Sequence, residues 1–166
     1  MALYVAGRVA WRTYNASRMS AVHKLSLSVQ YASDASDLPT RYQLRRWATL
    51  TLQRDVSMAI RIVDETEGRA LNKQFRGKNY ATNVLTFIDE DAEVLYGDIV
   101  ICAPVVEKEA LTQHKTLLAH YAHLVLHAVL HLQGYDHEDD KDAARMEARE
   151  TALMAKLGYA DPYKAV

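Results

Sequence analysis

The stretch His127-Ala128-Val129-Leu130-His131-Leu132-Gln133-Gly134-Tyr135-Asp136-His137 places three histidines in the spacing His-x3-His-x5-His, with a glycine three residues before the last one. On a helix, residues four apart lie one above the other, so His127 and His131 can reach one ion from the same face. Gly134 is a favourable helix stop because glycine adopts a left-handed backbone at little steric cost. The stretch therefore predicts a helix that ends in a sharp turn, after which His137 returns to the first two histidines.

Three neutral imidazoles with one open coordination position are the ligand set of a catalytic zinc site rather than of a closed structural one. Two histidines at i and i+4 also occur on ordinary helices, so the third histidine and the glycine are what favour a metal. The pattern resembles the zinc signature of metzincin proteases, His-Glu-x-x-His-x-x-Gly-x-x-His. Ala128 stands where those proteases have their catalytic glutamate. The stretch thus predicts zinc on His127, His131 and His137 without the general base of peptide hydrolysis.

Two neighbouring residues are candidates for supporting roles. His123 lies one turn before His127 and could contact the substrate or a water near the metal, or could be only a partly exposed polar residue. Asp136 precedes the third predicted ligand. A metal-bound histidine usually donates its other N–H to a carboxylate or carbonyl, which makes Asp136 a candidate acceptor. Capping of the following helix is the alternative role for Asp136.

The composition is that of a globular protein with one domain. The chain has 166 residues, of which 49% are hydrophobic and 25% are charged, and its formal net charge is −1. A nucleic-acid partner would therefore need a local basic patch, because there is no overall positive field. Cys102 is the only cysteine, which excludes an internal disulfide and fits a reducing, cytoplasmic compartment. No apolar run approaches the length of a membrane span, so no membrane partner is expected.

The first residues differ in charge from the rest of the chain. Residues 1–33 contain Arg8, Arg12, Arg18 and Lys24 but no acidic residue. Arg8 and Arg12 interrupt the apolar centre that a secretory signal needs, whereas an acid-poor leader is also typical of a transit peptide. We favour a disordered extension, or a start at Met19. The prediction is an N-terminal extension over residues 1–22 and a single domain over residues 23–166.

Alternating apolar residues predict four strands, and apolar residues at helical spacing predict five helices. The strands are expected at residues 23–31, 56–63, 83–88 and 96–102, and the helices at 40–54, 67–75, 105–112, 115–133 and 139–157. This order predicts an α+β domain with helices packed on a small mixed sheet, one of them a metzincin-like helix that carries the metal. In the helix at 67–75, Ala70, Leu71 and Phe75 are expected to face inward.

A run of cations precedes the third predicted strand. Between Gly68 and Ile88 the chain has four cations and no acid; the cations are Arg69, Lys73, Arg76 and Lys78. Local positive charge on a chain without net positive charge is typical of a phosphate contact. A basic loop is more often only solvated, so the pattern by itself does not decide between the two interpretations.

Six blocks of sequence occur together between Val56 and the C-terminus. They are Leu71-Asn72, Phe75-Arg76-Gly77-Lys78, Thr82-Asn83-Val84-Leu85-Thr86-Phe87, Gly97-Asp98-Ile99-Val100-Ile101-Cys102, His120-Tyr121-Ala122-His123-Leu124-Val125-Leu126 leading into the histidine motif, and Gly158-Tyr159-Ala160-Asp161-Pro162-Tyr163. In this order they resemble the YbeY family of endoribonucleases, which act in rRNA maturation. Three residues depart from the family's pattern: Ala128 replaces Gly, Thr86 replaces Ser and Asn79 replaces Asp. Residues before about His23 have no counterpart in the family.

The resemblance implies a metal-dependent endoribonuclease that cleaves single-stranded RNA. It implies one zinc ion per chain on the three histidines of the motif, with Arg76 as a catalytic arginine near the metal. Lys73, Lys78 and His123 are further candidates for contacting the substrate. The expected partners are single-stranded RNA, rRNA and the ribosome or its small subunit, with no DNA partner. The expected setting is maturation of the 3′ end of small-subunit rRNA and ribosome quality control.

Two other functions are compatible with the histidine motif. One is a metal-dependent peptidase or amidase on a metzincin-like site, against which Ala128 argues because no carboxylate stands at the base position. The other is a non-catalytic ribosome assembly factor with a zinc site, against which the open coordination position argues. Whether water or the 2′-hydroxyl of the RNA attacks the phosphodiester is left open. Imidazole ligands would also suit nickel, copper or iron.

Overall fold

The computed structural model describes residues 4–5, 22–89, 94–136 and 139–164. These residues form a mixed sheet with five helices, as predicted. The strands are β1 (Tyr4–Val5), β2 (Leu25–Ala32), β3 (Val56–Val63), β4 (Val84–Asp89) and β5 (Leu95–Cys102). The helices are α1 (Arg41–Thr51), α2 (Glu65–Arg76), α3 (Ala103–Thr112), α4 (Leu117–Leu132) and α5 (Asp140–Lys156). None of these helices is both long and apolar enough to cross a membrane.

The strands are ordered β1-β4-β5-β3-β2 in a single sheet. Strands β2, β3 and β5 run parallel, whereas β4 runs antiparallel to β5 and has β1 as a parallel neighbour. The short β1 was not predicted, because two residues carry no periodicity. Most of the extension expected over residues 1–22 lies outside the described residues, so its disorder stays a prediction.

Helices cover both faces of the sheet. On one face, α1, α4 and α5 enclose the main core, which includes Trp47, Ile60, Ile99, Leu126 and Leu153. On the other face, α2 covers a smaller cluster formed by Val63, Leu85, Val100 and Cys102, with Leu71 packed against it. Helix α3 contacts both, through Val106 in the main core and Val105 beside the smaller cluster. Helices α2 and α4 therefore lie on opposite faces of the sheet.

The prediction for the inner face of α2 was largely wrong. Ala70 is exposed, Phe75 is 46% exposed and Leu71 is only half-buried. The helix buries Gly68 and Asn72 instead. Helical periodicity of apolar residues fails here because the buried positions of α2 are a glycine and a polar side chain.

Each buried residue of α2 has a physical reason for its place. Gly68 lets the helix approach β5 closely, since a Cβ at this position would lie 3.0 Å from Cys102 Sγ. The amide of Asn72 donates to the carbonyl oxygen of Tyr80 at 2.6 Å. A buried amide is stable only when its hydrogen bonds are made, and this one fixes the loop after α2 against the helix.

Strand β5 and helix α4 also approach each other closely, at Gly97. A Cβ on Gly97 would lie 2.3 Å from Leu132 Cδ2 and 2.7 Å from the carbonyl oxygen of Phe87. Because Leu132 is the last residue of α4, this contact anchors the end of the histidine-bearing helix to the sheet.

We expect Gly97→Ala to lower the free energy of unfolding by about 2–3 kcal/mol, because overpacking a close contact forces backbone or side-chain shifts. Urea denaturation would measure the loss. The matched control is Gly158→Ala, at which a Cβ meets nothing within 4 Å but φ is +82°. Backbone strain alone should cost about 1 kcal/mol there. An equal or smaller loss for Gly97→Ala would contradict the close contact between β5 and α4.

Candidate metal centre

Helix α4 presents a row of four histidines, spaced so that all of them lie on one side of the helix. They are His120, His123, His127 and His131, and successive ring centroids lie 6.5, 6.3 and 4.6 Å apart. His120 and His131 are buried, whereas His123 and His127 are half-buried. The row therefore combines imidazoles inside the core with imidazoles that solvent can reach.

The two histidines at the end of the row fit a shared metal ion. His127 Nε2 and His131 Nε2 lie 3.1 Å apart. Two nitrogens bound to one tetrahedral zinc at about 2.0–2.1 Å would be separated by roughly 3.3 Å. The separation is thus close to the one that zinc requires, and both nitrogens belong to side chains one helical turn apart.

The turn after α4 forms as the motif predicts. Helix α4 ends at Leu132, and Gly134 has a φ of +94°, the left-handed region that favours glycine. His137, the third predicted ligand, lies outside the described residues, so its role stays a prediction. Within the described part of the chain, no three His, Cys, Asp or Glu side chains form a group that could hold a metal.

A buried carboxylate from α5 lies behind the histidine pair. The side chain of Glu150 is fully buried, its Oε1 lies 2.5 Å from His127 Nδ1, and its Oε2 lies 3.0 Å from His123 Nε2. An ionised carboxylate only accepts hydrogen bonds, so the Nδ1 proton of His127 belongs to this contact. Nε2 of His127 is then the electron-pair donor, and it faces His131. This is the outer carboxylate that metal-bound histidines commonly have.

The C-terminal segment completes the hydrogen bonding of Glu150. The Tyr163 hydroxyl donates to Glu150 Oε2, and the Tyr163 ring packs edge-on against His123 with 5.4 Å between ring centroids. Lys115 Nζ donates to the carbonyl oxygen of Pro162 at 2.5 Å and so ties this segment to the start of α4. The buried carboxylate thereby has a partner on each oxygen, as a buried charge requires.

Glu150 is ionised in this environment. Burial raises the pKa of its carboxyl, but the hydrogen bonds from His123 and His127 outweigh burial and lower the pKa to about 2. A negative charge beside His127 makes its imidazole a more basic ligand. Glu150 therefore favours a cation at the His127–His131 pair.

The other end of the histidine row has a separate ionic contact. His120 Nε2 lies 2.7 Å from Glu109 Oε2, and the amide of Asn83 donates to both oxygens of Glu109 at 3.2 and 3.1 Å. Burial raises the pKa of Glu109, yet the hydrogen bonds from His120 and Asn83 lower it overall. This contact joins α3 to α4 and to the start of β4, so His120 has a structural partner at a distance from the predicted ligands.

The cations predicted to contact RNA lie on α2 and the loop after it, on the face of the sheet opposite to the histidines of α4. Arg76 is the last residue of α2, and its guanidinium donates to Asn72 Oδ1 at 3.3 Å. Lys73 and Lys78 are exposed. Because α2 and α4 cover different faces, the described contacts do not bring these cations to the histidines directly.

Helices α2 and α4 nevertheless end at the same end of the sheet. The Phe75 ring packs on Phe87, near the end of β4, with 5.0 Å between centroids. Leu132 lies against Gly97, which pairs with Ile88 of β4. The C-terminal ends of α2 and α4 therefore lie on either side of the end of β4.

Glu150 was not among the predicted site residues, and Asp136 was the predicted supporting carboxylate. Asp136 is half-buried beside the turn after α4, and its role stays a prediction. A signal for Glu150 was available, because it lies four residues from Met146 and from Met154, both buried. An acid in the middle of an apolar helical stripe is a buried charge, and a buried charge needs a partner.

Comparison with known proteins gives a consistent result. The family model described as Endoribonuclease YbeY matches residues 28–158. Endoribonuclease YbeY of Nitrosospira multiformis is 53% identical over 155 residues, covering 84% of this chain and 82% of that protein. Endoribonuclease YbeY of Methylobacillus flagellatus is 53% identical over 142 residues, covering 86% of this chain and 95% of that protein. The solution structure of TM1509 from Thermotoga maritima is 27% identical, with a TM-score of 0.51, covering 82% of this chain and 99% of that one.

Proposed function

This chain belongs to the YbeY family and is an endoribonuclease, and we propose that its reaction depends on a zinc ion and acts on single-stranded RNA. The observation that carries the proposal is the pair of imidazole nitrogens 3.1 Å apart, with the buried Glu150 behind His127. Structural histidines do not need to converge on one point, whereas ligands of one ion do.

We propose His127, His131 and His137 as the residues that hold the metal. When bound there, zinc would act as a Lewis acid and polarise a phosphoryl oxygen. It would also lower the pKa of a bound water to about 7. Ala128 is buried between the two helical ligands and provides no general base. This absence of a carboxylate supports a nuclease over a peptidase.

Each protein group near the metal has a proposed task. Glu150 orients His127 and fixes the proton on Nδ1, while Tyr163 and His123 hold the carboxylate in place. Arg76 balances the charge that develops on the phosphoryl group, a task for which a guanidinium is well suited because it can donate two hydrogen bonds in parallel. The position of α2 and α4 at one end of the sheet supports a shared contact with the RNA.

The proposed setting is maturation of the 3′ end of small-subunit rRNA and ribosome quality control in the cytoplasm. The partners would be rRNA and the ribosome or its small subunit. Membership of the family supports this setting, and Cys102 as the sole cysteine agrees with a reducing compartment. The attacking group is either water or the 2′-hydroxyl of the RNA.

Two measurements on the purified protein test the proposal. Metal analysis should find one zinc per chain, and incubation with labelled single-stranded RNA and with peptides should give cleavage of the RNA alone. Product ends distinguish the nucleophiles, because a 2′,3′-cyclic phosphate excludes direct attack by water. A zinc-loaded protein that leaves every RNA intact would favour the assembly-factor alternative, and peptide cleavage would favour the peptidase.

We expect Arg76→Ala to lower RNA cleavage by about 10²–10³-fold, the usual effect of removing one group that stabilises transition-state charge. Zinc content should not change, because Arg76 contacts Asn72 rather than the histidines. Single-turnover cleavage and metal analysis would be compared with Arg46→Ala, an exposed arginine on α1. Equal cleavage by the two variants would remove Arg76 from the mechanism.

A further inference from the structure

Helix α2 carries a stripe of cations that leads away from the end of the sheet where Arg76 lies. Arg69, Lys73 and Arg76 are spaced i, i+4 and i+7, so they share one side of the helix. The helical rise of 1.5 Å per residue separates Arg69 from Arg76 by about 10 Å along the helix axis. This length corresponds to a stretch of RNA longer than one nucleotide.

Two hollows lie along this stripe. The first, of about 450 Å³, is lined by Arg69 and Lys73 together with Glu65 and Asn79. The second, of about 410 Å³, is formed between α2, the loop after it, and α3, and it is lined by Arg69, Asn79, Tyr80 and Lys108. Arg69 and Asn79 line both hollows, so the two are adjacent, and we refer to them together as the groove between α2 and α3. Glu65 is the acidic residue that lines both.

The groove combines an exposed aromatic ring with fixed cations. Tyr80 is 56% exposed, while its carbonyl oxygen accepts the hydrogen bond from the buried Asn72. Arg69 Nε donates to Asn79 Oδ1 at 3.0 Å, which holds the guanidinium against the loop. Unpaired bases stack on such rings and phosphates bind such cations in proteins that bind single-stranded nucleic acid.

Helix α3 connects this groove to the histidine helix. Lys108 faces the groove, whereas its neighbour Glu109 binds His120 of α4. The same helix thus forms a wall of the groove and a support of the histidine row. A bound strand could therefore extend from the end of β4 along α2 to α3 without leaving the protein surface.

We infer that the groove between α2 and α3 is a second subsite for single-stranded RNA, remote from the bond that is cleaved. Tyr80 stacks on an unpaired base, and Arg69 and Lys108 bind the phosphates beside it. The inference rests on the proposed function, since it extends the substrate contact of the same enzyme. It assigns Tyr80 and Lys108 a role that is separate from the metal centre.

Binding measured apart from cleavage tests this subsite. The full-length protein would be titrated into a labelled 20-nucleotide single-stranded RNA, with EDTA present to stop cleavage and fluorescence anisotropy as readout. Lys108→Ala should weaken binding several-fold and reduce the slope of log affinity against log salt by about 0.7, the value for one phosphate contact on a single strand. Tyr80→Ala should weaken binding by roughly five-fold or more, while Tyr80→Phe keeps the stacking ring and the affinity.

The matched control is Lys156→Ala, an exposed lysine near the end of α5 with the same change of charge. Groove variants that bind RNA as the Lys156→Ala protein does would overturn the subsite, while cleavage by the unaltered protein would leave the proposed function standing. Loss of affinity in the groove variants without any cleavage by the unaltered protein would support the subsite and contradict the proposed activity. Equal loss on an unpaired strand and on a fully paired duplex would contradict stacking by Tyr80.

Discussion

Replacing His131 by alanine should remove the zinc ion and abolish RNA cleavage. His131 Nε2 lies 3.1 Å from His127 Nε2, and the variant would keep only two of the three imidazoles proposed to bind the ion. Without the metal, the proposed Lewis acid is lost, and Ala128 offers no carboxylate next to His127 to replace it. Metal analysis by mass spectrometry and cleavage of labelled RNA would both be measured on the purified variant.

A second histidine variant tests whether the loss of zinc and of cleavage is specific to His131. His114 is exposed, and its φ of 53° lies in the left-handed region, which asparagine tolerates. His114→Asn should therefore keep both zinc and activity. Circular dichroism would show that the His131→Ala protein is folded. A folded variant that retains one zinc per chain would contradict the proposed ligand set.

Glu150→Gln should weaken zinc binding by about 10–100-fold, the usual cost of removing an outer carboxylate. The amide has the shape of the carboxylate but no charge, so it no longer favours the cation through His127. Its NH₂ group would also face a donor, whichever oxygen it replaces, because His127 contacts Oε1 and both His123 and Tyr163 contact Oε2. The buried side chain would be left with one unsatisfied contact.

Zinc affinity would be measured by competition with a chromogenic chelator, and folding by urea denaturation in the absence of metal. Glu147→Gln makes the same chemical change on the exposed side of α5 and should leave zinc affinity unaltered. If Glu150→Gln binds zinc as tightly as Glu147→Gln, the carboxylate serves only the packing of α5 on α4. Cleavage at saturating zinc would then show whether the orientation of His127 still matters.

The arrangement of helices and strands was largely predictable because most of them bury one face. Strand β3 was placed at its observed bounds, Val56–Val63, since apolar residues alternate along it. The histidine-bearing helix was recognised from its apolar residues and from Gly134, which ends it. The two-residue β1 escaped prediction because its pairing with β4 depends on contacts far apart in the chain.

The face of α2 and the partner of His127 needed the tertiary structure. Phe75 was expected inside, but the sheet accepts α2 through Gly68 and Asn72, whose fit depends on the backbone of β5 and of the following loop. Glu150 was passed over because a glutamate on a helix is usually solvated. The spacing of Glu150 from Met146 and Met154 indicates its burial, but its contact with His127 follows only from the packing of α5 on α4.

Glu150 and Tyr163 follow α4 in the sequence, and this order has a consequence for synthesis on the ribosome. The two histidines proposed as ligands on α4 are translated first, and the carboxylate that contacts His127 follows 23 residues after it, as 150 minus 127 gives. Tyr163 is translated later still. A nascent chain that has only reached the end of α4 therefore has the imidazoles without the group that arranges them. The order of translation therefore places the imidazoles of α4 in the nascent chain before the carboxylate and the hydroxyl that contact them.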